Sequence, residues 1–212
     1  MATFGAVKTA IARRLLDTNH TAVTDVEIGE AINEAIGKWK SNRFWFNTTD
    51  FALTIAAGDA QLTLPSDFLI EIPRNAVTIV ENGETRQVKK KSPAVFDGYK
   101  NTSATGLPLY YCNRSGVLEI FPTANIAYSG KIYYLKEYGT ILTDGTEDST
   151  TNDFLDEGRM LIQNEALANL HGELRQDEKM EARYIKRTLE EYDTLRTRTA
   201  LLLKSGTLTV EQ

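Results

Sequence analysis

The 212-residue chain has little of what most often carries chemistry: one cysteine, Cys112, and two histidines, His20 and His171. A lone thiol closes no internal disulfide, and a structural zinc site needs several Cys and His ligands together, so the fold must rest on a packed core in a reducing setting. Cys112 has only Arg114 nearby to lower its pKa, and it reads as a small buried strand residue. Neither imidazole stands in a nucleophile or metal-ligand pattern: His171 lies near a helix end, where the carbonyl dipole favours a cation, and His20 lies in a loop. The glycines are scattered, without the strand-to-helix arrangement that cradles phosphates, which leaves nucleotide binding unsupported. Positive charge is short as well. A net charge of -5 opposes wrapping of nucleic acid, which is driven by Lys and Arg displacing counterions. No apolar run reaches bilayer-spanning length, the start Met1-Ala2-Thr3-Phe4 lacks a signal peptide's basic flank and apolar stretch, and no solenoid-length repeat occurs. The expectation is of neither membrane anchor nor cofactor.

What is present is an ordinary globular composition, 42% hydrophobic and 25% charged, enough for one sizeable core with an elaborated insertion. Periodicity is helical to about Phe46, strand-like from about Thr48 to Tyr138 and helical again from about Asp153. Phe4, Val7, Ile11 and Leu15 mark a first helix. Thr24 and Glu27 have capping-box spacing and open a second, with Ile28, Ala31, Ile32, Ala35, Ile36 and Trp39 on its apolar face. Phe51, Leu53 and Ile55, a Gly58-Asp59 turn, then Leu62 and Leu64 predict a hairpin. Asn82-Gly83 predicts a second, two-residue turn that sets Val77 opposite Val88. Ser92-Pro93 starts a short helix, and Leu109–Cys112, Val117–Phe121 and Lys131–Leu135 complete a meandering antiparallel region. Thr140–Asn152 has too little apolar surface to pack and predicts a mobile loop. Asp153 caps another helix with a break near Gly172, and a long amphipathic helix runs from Asp177 or Glu178 to about Leu203. The expected fold is α+β: a helical bundle from residues 1–47 and 153–204, an inserted antiparallel β-rich region over 48–152, and an extended tail over 205–212.

Carboxylates are the one plentiful catalytic group, and a glycosidase needs only two at the right separation. The densest acidic stretch, Asp144, Glu147, Asp148, Asp153, Asp156 and Glu157, lacks EF-hand spacing and reads first as a solvated loop. Lys89-Lys90-Lys91 would suit a phosphate backbone, although lysines at a strand end also guard against edge pairing, the simpler reading. Phe44-Trp45-Phe46 directly follows the apolar face that ends at Trp39, so these four residues are candidate core or subunit-interface anchors.

Several segments, in this order, resemble the head-to-tail adaptor proteins of tailed bacteriophages, including the tail accessory or tail tubular A proteins of short-tailed phages. They are Thr24-Asp25-Val26-Glu27-Ile28 through Ala31–Ile36 to Phe44–Asn47, Leu62-Thr63-Leu64-Pro65-Ser66-Asp67-Phe68, Gly106–Tyr111, and Leu118–Thr123 followed by Ile132-Tyr133-Tyr134. The chain departs from the pattern in having Leu62 where an aromatic is frequent, and a longer acidic loop around Glu147-Asp148. The resemblance implies a structural subunit without enzymatic activity. About twelve identical copies would close head-to-tail into a ring between the portal protein above and the next tail protein below, in the neck of the virion after assembly in the host cytoplasm. DNA would pass through without specific binding. By position, Lys204, Ser205, Gly206, Thr207, Leu208, Thr209 and Val210 are the candidate portal-docking tail, and Asp144, Glu147 and Asp148 a candidate acidic channel loop. The competing readings are a tail-associated glycan hydrolase with two catalytic carboxylates and another structural virion protein such as a tail terminator.

Overall fold

The computed structural model describes residues 1–16, 22–72, 76–100, 102–114 and 116–204, without the side chains of 203 and 204. The chain divides into two compact units, Met1–Asn47 with Tyr138–Gln212, and Thr48–Glu137.

The first unit holds α1 (Phe4–Arg14), α2 (Asp25–Trp39), α4 (Asp153–Asp156), α5 (Arg159–Asn169), a π-helical turn (Leu170–Leu174) and α6 (Glu178–Lys204); α3 belongs to the other unit. The N-terminus of α2 forms the reciprocal cap its sequence predicts, with Thr24 accepting from the Glu27 amide and the Glu27 carboxylate accepting from the Thr24 amide. Helix α5 is buried on every side from Leu161 to Ala168 and packs against α1, α2, α4 and α6. The break near Gly172 takes the form of the π turn. A Cβ on Gly172 would stand 2.8 Å from the Glu181 carboxyl carbon, the far end of a flexible side chain on α6.

The second unit holds β1 (Thr48–Ile55), β2 (Gln61–Thr63), β3 (Phe68–Glu71), β4 (Val77–Glu81), β5 (Glu84–Lys90), α3 (Pro93–Lys100), β6 (Thr105–Gly106), β7 (Tyr110–Arg114), β8 (Val117–Phe121), β9 (Thr123–Ala124) and β10 (Tyr128–Lys136). Among the described residues, eight strands form one sheet in the order β1-β10-β4-β5-β7-β8-β2, with β3 also on β10; β6 and β9 form a small parallel pair. The Asn82-Gly83 turn has φ values of 52° and 84°, and it sets Val77 opposite Val88 as expected.

A helical bundle with an inserted antiparallel meander is not what forms. Helices make up only 41% of the chain, and the sheet is large, mixed and nearly closed into a barrel. The expected hairpin over Phe51–Leu64 is absent because the chain turns a corner at Gly58, whose amide donates to the Ala124 carbonyl at 2.8 Å. Strand β1 then pairs with β10 from Thr48↔Leu135 to Ile55↔Tyr128, and β2 pairs with β8. Likewise, α3 carries the chain across so that β5 runs parallel to β7, a pairing that no tight turn can make. The alternation of Phe51, Leu53 and Ile55 holds in part: Leu53 and Ile55 are buried and Phe51 is exposed.

Strand β10 is the hub of this sheet, bonded to β1, β3 and β4. Gly130 faces Leu53 on one side and Ile79 on the other, and a Cβ there would come within 2.4 Å of the Thr78 carbonyl oxygen. Replacing Gly130 by Ala should therefore push β4 away from β10 and lower unfolding free energy by about 1–3 kcal/mol in a denaturant titration, whereas an unchanged midpoint would remove this account of the glycine.

Candidate functional site

Lys8 sits on the inner face of α1, in step with Phe4, Val7 and Ile11, and its side chain is 2% exposed. Its Nζ lies 2.5 Å from an Asp25 carboxylate oxygen and 2.5 Å from one of Asp148. Asp25 stands in the first turn of α2, where a negative charge also suits the helix dipole. Burial alone would pull the Lys8 pKa down, but the hydrogen bonds and charges of Asp148 and Asp25 outweigh it, and the value lies above that of an ordinary lysine. The acidic stretch is therefore fastened. The Phe4 and Gly5 amides donate to the Thr150 and Asp148 carbonyls at 2.9 Å each, and Asn33 of α2 both donates to the Ile141 carbonyl at 2.8 Å and accepts from its amide at 3.0 Å. Gly29 leaves the space this needs, since a Cβ there would meet the Thr143 side chain at 2.7 Å. Of the three candidate channel residues, Asp148 holds Lys8, and the Glu147 carboxylate accepts from the Leu142 amide at 2.6 Å. Asp144 is exposed and accepts from the amide and hydroxyl of Thr146, bonds that hold its carboxyl below the usual range.

The aromatic run after α2 is sorted by Asn47, which accepts from the Phe44 amide at 2.9 Å and donates to the carbonyls of Asn42 and Lys40 at 2.8 and 3.2 Å. That turn sends Phe44 and Phe46 inward, stacked 5.1 Å apart, with Phe154 edge-on to both. Trp39 meets Tyr192 of α6 at 4.9 Å. Trp45 is half-buried at the margin, beneath the Arg198 guanidinium at 4.3 Å. Trp39, Phe44 and Phe46 thus belong to the core of the first unit.

Carboxylates with perturbed acidity are all shifted down among the described residues, the opposite of what a general acid needs. Hydrogen bonds from Thr24 lower Glu27; burial raises Glu71, but Lys90 and Asn113 outweigh it. No cluster of three or more His, Cys, Asp or Glu able to hold a metal occurs among the described residues, and no helix among them is long and apolar enough to cross a membrane. In the lysine run, Lys90 pairs with the buried Glu71, Lys91 lies 4.9 Å over the Tyr110 ring, and Lys89 is exposed. Lys89 and Lys90 stand opposite Tyr110 and Tyr111 of β7, and the Lys89 and Lys91 amides donate to the Leu109 and Tyr111 carbonyls at 2.9 Å each.

Lys8, Glu71 and Glu119 carry weight that sequence reasoning passed over. Glu119, 9% exposed at the side chain, pairs with Lys100 at 2.7 Å. The signal for Lys8 was its place in an apolar stripe; inward strand positions mark the two glutamates only once the pairing is known. In the candidate tail, Lys204 is the last residue of α6, while Ser205, Gly206, Thr207, Leu208, Thr209 and Val210 lie outside the described residues, as does His20. Cys112 is buried, as expected of a strand residue. His171 lies in the π turn, 4% exposed, its ring stacked on Tyr184 at 5.5 Å.

Lys8→Met should leave two carboxylates facing each other across a gap once filled by a cation, costing about 2 kcal/mol in thermal or chemical unfolding and speeding hydrogen exchange at the Phe4 and Gly5 amides. Equal exchange in both proteins would show that Lys8 does not fasten the loop. Burial, reinforced by Arg175 and opposed by Asp177, pushes the His171 pKa down, so the unfolded chain binds this proton more readily. The stability His171 contributes is present above about pH 6.5 and is lost as the pH falls through the lowered value. His171→Phe should flatten the dependence of melting temperature on pH in that window; an unaltered slope would assign it to other groups.

No curated protein matches the chain. A family model, SU10 adaptor protein, a phage adaptor family, matches residues 2–206. A match over nearly the whole length, across both compact units, means that the chain belongs to the SU10 adaptor protein family.

Proposed function

We propose that this protein is a ring-forming subunit of the phage neck, seated between the portal and the next tail protein and related in role to the tail tubular A connectors of short-tailed phages. Family membership over residues 2–206 carries the reading. The physical chemistry supports it. The buried Lys8 and Glu165 and the half-buried Asn33 bind backbone or opposite charges from distant segments, which serves positioning. A net charge of -5 suits a passage for DNA, because each phosphate neutralised by Lys or Arg would slow transit. In this reading identical copies, about twelve as in similar adaptors, dock head-to-tail into a closed ring. The segment after Lys204 reaches the portal, and the acidic stretch faces the channel through Asp144, while Glu147 and Asp148 fix its course. The protein then has no substrate, and its place is in the virion, after assembly in the host cytoplasm.

Purified full-length chain mixed with portal rings of the same phage should form closed rings on that template in electron micrographs and leave the turbidity of host cell-wall preparations unchanged. Protein that stays single beside portal while clearing cell walls, with clearance abolished by one carboxylate change, would replace this reading with the hydrolase.

A further inference from the structure

We infer that the outward face of α6 docks on the outward face of α2 in the next copy of the chain, an inference that rests on the ring reading above. Helix α6 buries Tyr184, Thr188, Leu195 and Thr199 on its own unit. About a quarter-turn round the helix, Ile185 and Leu189 are 45% and 54% exposed, one turn apart. They are the anchors expected at the centre of an interface, and beside them stand Lys179, Arg183 and Lys186, the last loosely paired at 3.8 Å with the exposed Glu190 one turn on. The outward face of α2 has the opposite character: Val26 is 44% exposed, and Glu30 and Glu34 follow it at four-residue steps. Among the described residues, Glu30, Lys179 and Arg183 make no ion pair within their own chain. Further along the same face, in the last turn of α2, Gly37 has nothing within 4 Å of where a Cβ would stand, so no packing in its own unit accounts for it. A close neighbour does.

The charges match in one alignment. If the two helices run antiparallel with Val26 beside Leu189, one turn along each helix brings Glu30 to Lys186, and the next brings Glu34 to Arg183. Both helices pack on α5, and their outward faces are separate patches of one unit. A contact between two different patches is heterologous, the kind that continues past a dimer and gives a ring where the rotation between copies closes.

The test uses two charge reversals in the full chain, Glu30→Lys with Glu34→Lys, and Arg183→Glu with Lys186→Glu, each mixed with portal rings. Each alone places like charges in contact and should raise the concentration needed for ring assembly at least about ten-fold. An equal mixture of the two restores both contacts and should recover rings of alternating subunits. If both variants assemble as the wild type does, the α2–α6 contact is wrong and the ring reading stands; if wild type stays single beside portal, both fall. Should either variant fail to keep the wild-type circular dichroism melt, Val26→Cys with Leu189→Cys decides instead. Mild oxidation of assembled rings should give a ladder of disulfide-linked multimers that wild type, with its buried Cys112, does not give, and no ladder would overturn the contact.

Discussion

A helix buried on every side has no face to give to water, so a polar residue on it is costly unless a neighbour supplies a partner. Helix α5 is in that position: Gln163 is buried with no hydrogen-bond partner for its side chain among the described residues, whereas Asn164 and Glu165 are met from neighbouring helices. Glu165 accepts from Lys38 at 2.5 Å and from the Trp39 indole at 3.1 Å, which draws the C-terminal end of α2 against it. Asn164 accepts from Arg14 at the end of α1 at 3.3 Å. Losing either partner would leave a buried acceptor unpaired, at a cost of about 1–3 kcal/mol, a large fraction of any domain's net stability. The aromatic cluster around Phe44, Phe46 and Phe154 and the fastening of the loop by Lys8 both presuppose that α1 and α2 stand where α5 holds them.

How much of this could be read in advance depended on how far apart in sequence the interacting residues lie. The α2 cap, the Asn82-Gly83 turn with its Val77–Val88 register, the start of α3 and the extent of α6 were all legible, because each is decided within a few residues. The sheet order was not. Alternation says which strand residues are buried and nothing about the strand they meet, and β1 finds its partner in β10, about eighty positions on. The hairpin predicted through Gly58-Asp59 used valid turn chemistry, yet the turn serves a corner between two partners. The same limit applies to the candidate site. Phe44-Trp45-Phe46 read as anchors, but only the Asn47 turn decides that the outer two point inward. The acidic stretch read as mobile because its composition buries little, and composition does not record that Asn33 and Lys8 lie ready to hold it.

The buried charges constrain the fold in a different way. Glu71 with Lys90, Glu119 with Lys100 and Lys8 with two aspartates are each matched within their own unit. Such pairs add little net stability over apolar packing of the same volume, but a wrong arrangement would strand a charge. They therefore select one arrangement over its competitors.

For a subunit that works by fitting its neighbours, this allocation has a further consequence. In the ring proposed above, docking energy would be shared over many weak, exposed contacts, and each subunit would have to present them in the same geometry for the ring to close. Specificity fixed inside the unit by buried pairs leaves the surface free to carry charge and a few apolar residues without altering the fold. Exposed positions such as Ile185, Leu189 and Glu30 can then change without altering the fold, while Lys8, Asn33 and Glu165 cannot change without moving the elements they hold.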